Sequence, residues 1–393
     1  MKQITSGSIA RNLMDEFANL TGMLSDGKLP RRYLWTDAFA VCNFLGLYQQ
    51  TNDEHYKKFA LHLVDQVHFI LGRHHDDDPR TGWISGLSEQ EGILHPTQGG
   101  LRIGKGMNER GPKDPYDEQL EWDRDGQYFH YLTKWMHALN RVSRVTGDPT
   151  CSRWAIELAK VTHDKFTYVP SSGGQKRMYW KMSIDLSYPL VTSMGQHDPL
   201  DGLITYLQLQ PTAVNDPDKS ADFDLSAEIK DMAAMCEGKS WATDDPLGIG
   251  ELLSNSYKLA QLIVIEEFEQ AALLDVLLDS SLIGLQAYTR GRNPLMTPAK
   301  YRLAFRELGL SIGLHAIEKL QGLIKQTPRD LKMTRHLHSQ IENLMRYTPF
   351  SEVIEAFWLE PANRQASTWR EHRDINMVML ATSLAPDGYL SPG

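Results

Sequence analysis

Cysteine is scarce in this chain. The three thiols, Cys42, Cys151 and Cys236, are odd in number and widely spaced among 393 residues. A disulfide framework or a thiolate zinc site is therefore not expected, and buried thiols remain. Basic charge is also in deficit, with 41 Lys and Arg against 50 Asp and Glu and a net charge of −9. No basic run is interleaved with aromatics, which argues against a nucleic-acid surface. A local group of arginines can still meet an anionic substrate, because local potential need not follow net charge. Long apolar runs are missing as well. The opening MKQITSGSIARNLMDEF has no continuous apolar stretch of the kind a signal peptide needs. The region from Leu259 to Leu285 is the most apolar, but Glu266, Glu267, Glu269, Asp275 and Asp279 interrupt it, so it reads as a buried helical hairpin and not a span. The expectation is a cytoplasmic protein with neither a nucleic-acid nor a membrane partner, and with no cofactor or metal.

What the chain has is helical periodicity and enough apolar material, 41%, for a large core. Leu34 to Tyr48 and Glu54 to Leu71 read as two helices joined at Gln50-Thr51-Asn52-Asp53. Gly126 to Val145 and Thr150 to Phe166 repeat the arrangement across Thr146-Gly147-Asp148-Pro149. Thr-Asn-Asp and Thr-Gly-Asp fill the same place, a helix stop followed by an acidic N-cap. Further pairs are Leu200–Leu209 with Leu225–Cys236, Gly248–Ile265 with Phe268–Tyr288, and Pro298–Ile324 with Leu331–Tyr347. The first helix, Ile9–Leu24, and the last, Arg373–Leu384, would pair with each other and close a ring. About twelve helices in hairpins predict one all-α domain over 1–393, an α/α toroid.

The connections are unequal. Turns within pairs are tight, but Arg73 to Asp125 is a long segment rich in Gly, Pro, Asp and Trp, and Thr167 to Gln196 is another. Loops of such length in a compact domain are commonly functional. Trp83, Trp122, Tyr179 and Trp180 argue that these fold, with short strands. In a toroid, alternate connections share a face, so the long ones should gather at one mouth.

Three clusters within or beside these connections, one at the start of the Leu34 helix and one at the last helix carry candidate chemistry. The densest is Glu121-Trp122-Asp123-Arg124-Asp125-Gly126-Gln127-Tyr128-Phe129-His130. Asp123 or Asp125 would cap the helix that follows, or serve as a carboxyl whose pKa an aromatic setting raises. Met194-Gly195-Gln196-His197-Asp198-Pro199 opens another helix; Asp198 with Pro199 is a good cap and first-turn pair, and His197 stands behind a glycine. In Leu34-Trp35-Thr36-Asp37, Thr36 or Asp37 is a cap or a second carboxylate. The long loop offers Gly72-Arg73-His74-His75-Asp76-Asp77-Asp78, whose Asp run lacks the spacing of a calcium loop and reads as a solvated charge run. It also offers His95, Arg102 and Lys105, suited to a carboxylate or phosphate on a substrate. Trp369-Arg370-Glu371-His372 opens the last helix. Trp35, Trp122, Trp180 and Trp369 lie near loop-to-helix junctions, where they would stack on sugar rings or belong to the core.

Helices in hairpins, with aromatic, Asp and His residues at helix starts and long loops on one side, resemble the six-hairpin glycosidase-like (α/α)6 superfamily. That group includes glycoside hydrolases, unsaturated glucuronyl hydrolases and N-acylglucosamine 2-epimerases. The resemblance covers most of the chain at the level of fold, and no diagnostic motif of one family is matched. It implies a carbohydrate-active enzyme taking a small sugar or oligosaccharide. As a glycoside hydrolase, Asp125 and Asp37 would act as acid and base across a glycosidic bond, with Asp123 a further carboxyl. Trp122, His130, Gln127, Arg102, His95, Trp180 and Trp35 would bind the sugar. As a 2-epimerase, His197 and His372 would transfer the protons. A non-catalytic toroid binding a glycan or a protein at the same mouth is the third reading.

Overall fold

The computed structural model describes residues 5–24, 30–215, 223–265, 271–290, 296–326 and 335–391. The chain groups into two compact units, Ala18–Gly238 and Met1–Phe17 with Lys239–Pro392. After α1 (Ser6–Leu20), the 18–238 unit contains α2 (Leu34–Thr51), α3 (Glu54–Leu71), α4 (Glu89–Leu94), α5 (Glu118–Asp123), α6 (Phe129–Thr146), α7 (Thr150–Phe166), α8 (Asp198–Asn215) and α9 (Ser226–Cys236). The 239–392 unit holds α10 (Pro246–Ile265), α11 (Ala271–Thr289), α12 (Ala304–Gln326), α13 (Arg335–Met345), α14 (Phe350–Leu359), α15 (Ser367–Glu371), α16 (Arg373–Leu384) and α17 (Asp387–Leu390).

In the 18–238 unit, α2 packs on α3, α6 on α7 and α8 on α9, while α6 also meets α2 and α8. The two equivalent turns do what their residues dictate. Asn52 and Gly147 close α2 and α6 in the left-handed region, with φ of 55° and 76°. Asp53 and Asp148 then accept the backbone N–H of His55 and Thr150 at 3.0 and 2.9 Å, satisfying donors that a helix start leaves open. The core carries Trp135, Phe44, Phe129, Phe166 and Tyr206, all fully buried. Trp135 Nε1–H donates to His68 Nε2 at 3.1 Å, which fixes the acceptor tautomer of that imidazole. Burial pushes the His68 pKa down to about 3, because a charge there would lose its water.

In the 239–392 unit, α10 lies against α11 and α12, and α12 also meets α14 and α16. Glycines set how closely α10 and α12 approach. A Cβ on Gly250 would stand 2.0 Å from the Gly309 carbonyl oxygen, and one on Gly313 would stand 2.5 Å from that of Gly250. Helix α11 is long and apolar enough to cross a membrane by length and composition. It turns Leu274, Leu277, Leu278 and Leu285 inward, and packs on α10 and α13. Glu266, Glu267 and Glu269, three of the charges that interrupt this apolar stretch, lie outside the described residues, as do Phe268 and the start of the predicted Leu331–Tyr347 helix.

The structure departs from the sequence reading at several helices: α1 runs from Ser6 to Leu20 and not from Ile9 to Leu24, and α12 starts at Ala304 and not at Pro298. Helix α8 continues through Pro211 to Asn215, past the predicted end at Leu209. Helix α14 was not anticipated, although Ile354 and Trp358 are four residues apart on its buried face and Pro349 stands at its N-cap. Helix α6 begins at Phe129 and not near Gly126, because Gln127–Tyr128 form a short strand, β1.

Candidate functional site

After α3 the chain leaves the helical scaffold and returns to it. Arg73 and Trp83 form an antiparallel bridge, and Ser88 with Glu91 closes a reciprocal cap on α4. Residues 101–104 are then threaded between three parts of the unit. Arg102 N–H donates to the Leu71 carbonyl at 3.0 Å, and Ile103 N–H to that of Gly126 at 2.8 Å. The Ile103 carbonyl in turn accepts Leu34 N–H, at the start of α2, at 3.0 Å. This threading brings the end of the long loop against Asp125.

The Asp125 side chain is 0% exposed, and every donor around it is ordered. Oδ2 accepts from His75 Nε2 at 2.8 Å and from Arg102 Nη1 at 3.0 Å. Oδ1 accepts the backbone N–H of Gly104 and of Gly126, each at 3.0 Å. Arg102 is itself anchored, with Nε on the Arg73 carbonyl at 2.9 Å and Nη2 on that of Ile70 at 3.0 Å. Arg102 Nη1 also lies 3.2 Å from His75 Nε2. A lone pair on Nε2 would face the carboxylate oxygen at 2.8 Å, so the His75 Nε2 proton points at Asp125, which leaves Nδ1 as the other ring nitrogen. The nearest carboxylate on that side is Asp77, with Oδ1 3.9 Å from Nδ1, beyond hydrogen-bond reach.

Beside this group the second long connection folds back as β2 (Thr167–Tyr168) with β3 (Arg177–Met178), and β4 (Lys181–Met182) with β5 (Pro189–Val191). Strand β4 pairs antiparallel with β1, Gln127 opposite Met182. Lys181, wholly buried, gives its three protons to the Glu121 carbonyl and Oε1 and the Arg124 carbonyl, at 2.7, 2.8 and 2.9 Å. Arg110 Nε takes the other Glu121 oxygen at 3.0 Å. The two long connections are thus stitched together, as also by Arg80 on Asp185 at 2.9 Å and Tyr188 Oη–H on the Arg110 carbonyl at 2.7 Å.

Over this base lies an aromatic wall centred on Tyr128. Trp180 packs on Trp122 (centroids 5.2 Å, 76°) and on Tyr128 (5.1 Å). His130 stacks on Tyr128 at 5.3 Å and lies nearly parallel to Trp180 at 6.3 Å. Tyr131 meets Tyr128 at 5.2 Å, and its hydroxyl is 2.9 Å from that of Tyr33. Burial pushes the Tyr33 phenol up to about 12, against the pull of that hydrogen bond. Trp122 is 49% exposed, a large apolar face left to solvent. Lys105 Nζ stands 5.9 Å from the Tyr128 ring centroid. Burial lowers its pKa and Lys181 lowers it further, opposed by the charges of Asp123, Asp125 and Glu121.

The sequence candidates take varied places. Asp125, Trp122, His130 and Trp180 are brought together. Asp123 is exposed at the end of α5, next to Trp122. Neither Asp123 nor Asp125 caps α6, whose N-cap is Tyr128 with no side-chain bond. Asp37 is buried on the first turn of α2; Oδ2 accepts Tyr33 N–H at 2.9 Å and Oδ1 faces Arg32 at 3.5 Å, so its carboxylate finishes the helix start. Gln127 is fully buried and works as a strut, accepting from Leu101 N–H at 2.9 Å and donating to the Gly99 and Ile184 carbonyls at 3.0 and 2.6 Å. Arg102 points inward rather than toward a ligand. His95 is exposed and pairs with Glu157 at 2.6 Å. Trp35 is core, against Phe39 at 4.5 Å. His197 stands just before α8, its carbonyl accepting Asp201 N–H at 3.0 Å. His372 is the exposed N-cap position of α16, edge-on to Phe305 at 5.6 Å, and belongs to the other unit. Within the predicted charge run, Asp76 and Asp77 are exposed, but Asp78 is buried on Arg80 and Asn108, at 2.8 and 2.9 Å. Among the described residues, no group of three His, Cys, Asp or Glu is placed to hold a metal ion. Tyr33 and Tyr131 are members that the sequence did not single out, and His75 stood in the long-loop cluster without a role.

No protein-family model and no curated protein sequence matches the chain. Solved structures do. An inactive variant of the GH76A α-1,6-mannanase of Salegentibacter sp. HEL1_6, in complex with α-1,6-mannotetrose, aligns with 97% of this chain and 99% of its own at 12% identity and TM-score 0.52. The same mannanase without those substitutions gives 11% identity and TM-score 0.50 over 99% and 100%. The cellobiose 2-epimerase of Spirochaeta thermophila DSM 6192 aligns at 11% identity and TM-score 0.46 over 95% and 97%. The all-α chain therefore shares the fold of this mannanase, an (α/α)6 toroid.

Proposed function

We propose that this protein is a carbohydrate-active enzyme, and that it hydrolyses a glycosidic bond in an oligosaccharide held on the aromatic wall of the 18–238 unit. The observation that carries the reading is the half-exposed indole of Trp122, backed by Trp180, Tyr128 and His130 and adjoining the buried Asp125 group. Sugar rings present apolar C–H faces that pack on such indoles, while their hydroxyls need polar partners at the edges. The fold likeness supports the same direction, since the mannanase it resembles was captured with α-1,6-mannotetrose and was inactive when two consecutive aspartates were replaced.

The carboxyl roles shift from those read in the sequence. Asp37 and Asp125 have their oxygens committed to buried donors, so neither presents a face to a sugar. Asp123, exposed beside Trp122 and close enough for its charge to act on Lys105, takes the part of the acid. A sugar 2-epimerase is the second reading, favoured by the imidazole of His75 on Asp125 and that of His130 in the aromatic wall. Time-resolved proton NMR with α-1,6-mannotetrose, uronides and N-acylhexosamines separates the two. A new free anomer marks hydrolysis, exchange at C2 with solvent deuterium marks epimerisation, and silence across the panel overturns both in favour of a binding role.

A further inference from the structure

Resting on the site proposed above, we infer that His75 is its proton-transferring residue and that Asp125 is a positioning residue acting through it. His75 lies in the first turn of chain after α3, fifty residues from Asp125, and nothing in its local sequence requires an ordered imidazole there. The structure nevertheless orders it strongly. A carboxylate with no exposure, fixed by Arg102 and by two backbone N–H groups, has a single remaining partner that can change protonation, and that partner is His75 Nε2. The arginine does not titrate in the accessible range, and the amides do not titrate at all. A buried carboxylate that is hydrogen-bonded to one ring nitrogen fixes the tautomer, aims the other nitrogen, and stabilises the imidazolium formed when that nitrogen takes a proton. Burying four ordered donors around one carboxylate only to immobilise a loop histidine would be a costly arrangement, since an apolar contact would do the same.

The charged groups facing the ring are Asp125 and Arg102 on the Nε2 side and Asp77 on the Nδ1 side. In hydrolysis Nδ1 takes a proton from water as the water oxygen bonds to the anomeric carbon. The glycosidic C–O bond breaks, its electron pair stays on the leaving oxygen, and that oxygen takes the Asp123 carboxyl proton. The imidazolium and the Asp123 carboxylate then return to their starting states through solvent.

The test uses the 15N-labelled full chain. Long-range 1H–15N spectra, with His75 assigned from the His75→Gln variant, should show the ring proton held on Nε2. Asp125→Asn should abolish that preference. With α-1,6-mannotetrose, binding should shift the His75 signals, and His75→Gln should lower kcat by about 10²–10⁴ with little change in KM. Asp125→Asn should lower kcat and also displace the pH profile, which a merely structural residue would not do. A ring protonated at Nδ1, or a His75→Gln protein as active as the parent, overturns the inference. If the parent turns over no sugar, the hydrolase reading falls by itself, and the spectra still decide the dyad: a His75 ring whose tautomer is indifferent to Asp125→Asn overturns it.

Discussion

Arg102 Nη1 lies 3.0 Å from Asp125 Oδ2 where the carboxylate is sealed from solvent and the guanidinium nearly so. A pair of this kind is worth most when intact. Removing one partner leaves a charge buried without its counterion, which typically costs about 3–5 kcal/mol. Arg102→Met should lower the urea midpoint accordingly. The double variant Arg102→Met with Asp125→Leu should recover part of the loss, because no uncompensated charge remains.

Trp122 should behave in the opposite way. Its side chain is half in solvent and packs on Trp180 alone among the wall's rings, so Trp122→Ala should cost only about 1 kcal/mol of stability, the order of one aromatic pair. It should weaken α-1,6-mannotetrose binding about tenfold, the equivalent of ~1.4 kcal/mol. Isothermal titration with the sugar measures the second effect, and thermal unfolding the first.

Gln127 holds three backbone groups from two loops. Gln127→Leu leaves the Leu101 N–H and the Gly99 and Ile184 carbonyls without it, each orphan costing about 1–3 kcal/mol. The close approach also requires glycine, as Gly100 sits at φ 74° and a Cβ there would stand 2.0 Å from Gln127 Oε1. Far-UV ellipticity should change little while hydrogen exchange accelerates across residues 99–104 and 181–191.

His68 should make the protein sensitive to acid. Its folded pKa, about 3, lies below the unfolded value near 6.5. Between those limits the unfolded chain binds the extra proton, so stability is fully present above pH 6.5 and declines as pH falls toward 3. His68→Gln keeps an acceptor for Trp135 Nε1–H but has no proton to gain. Its urea midpoint should fall less steeply than the parent's between pH 6.5 and 4.

The helical scaffold was legible because its signals are local. The stop at Asn52 and the acidic cap at Asp53 are neighbours, and the bounds of α16, Arg373 to Leu384, follow from periodicity alone. The site was legible only in outline, since Trp122, Asp125 and His130 stand within ten residues. His75 stood in the long-loop cluster but had no role there, because its meaning rests on a contact fifty positions away. Gln127 and Arg102 were read as ligand-binding when their partners are mostly backbone carbonyls and amides, which carry no signature in residue types. Asp37 could be read as a cap or as a catalyst, and it is neither: the N-cap is Tyr33, and Asp37 reaches back from inside the first turn to accept the Tyr33 N–H.

The threading of residues 101–104 bears on the order in which the molecule comes together. Helices α2 with α3 and α6 with α7 are joined by turns of a few residues, whereas Arg102 reaches back to Ile70 and forward to Asp125 across much longer stretches. Closing a long loop costs more entropy than closing a short one, and local contacts form sooner. On dilution from denaturant, ellipticity should therefore return before the sealed carboxylate does. A chain caught between those moments would already be helical and still have no working centre.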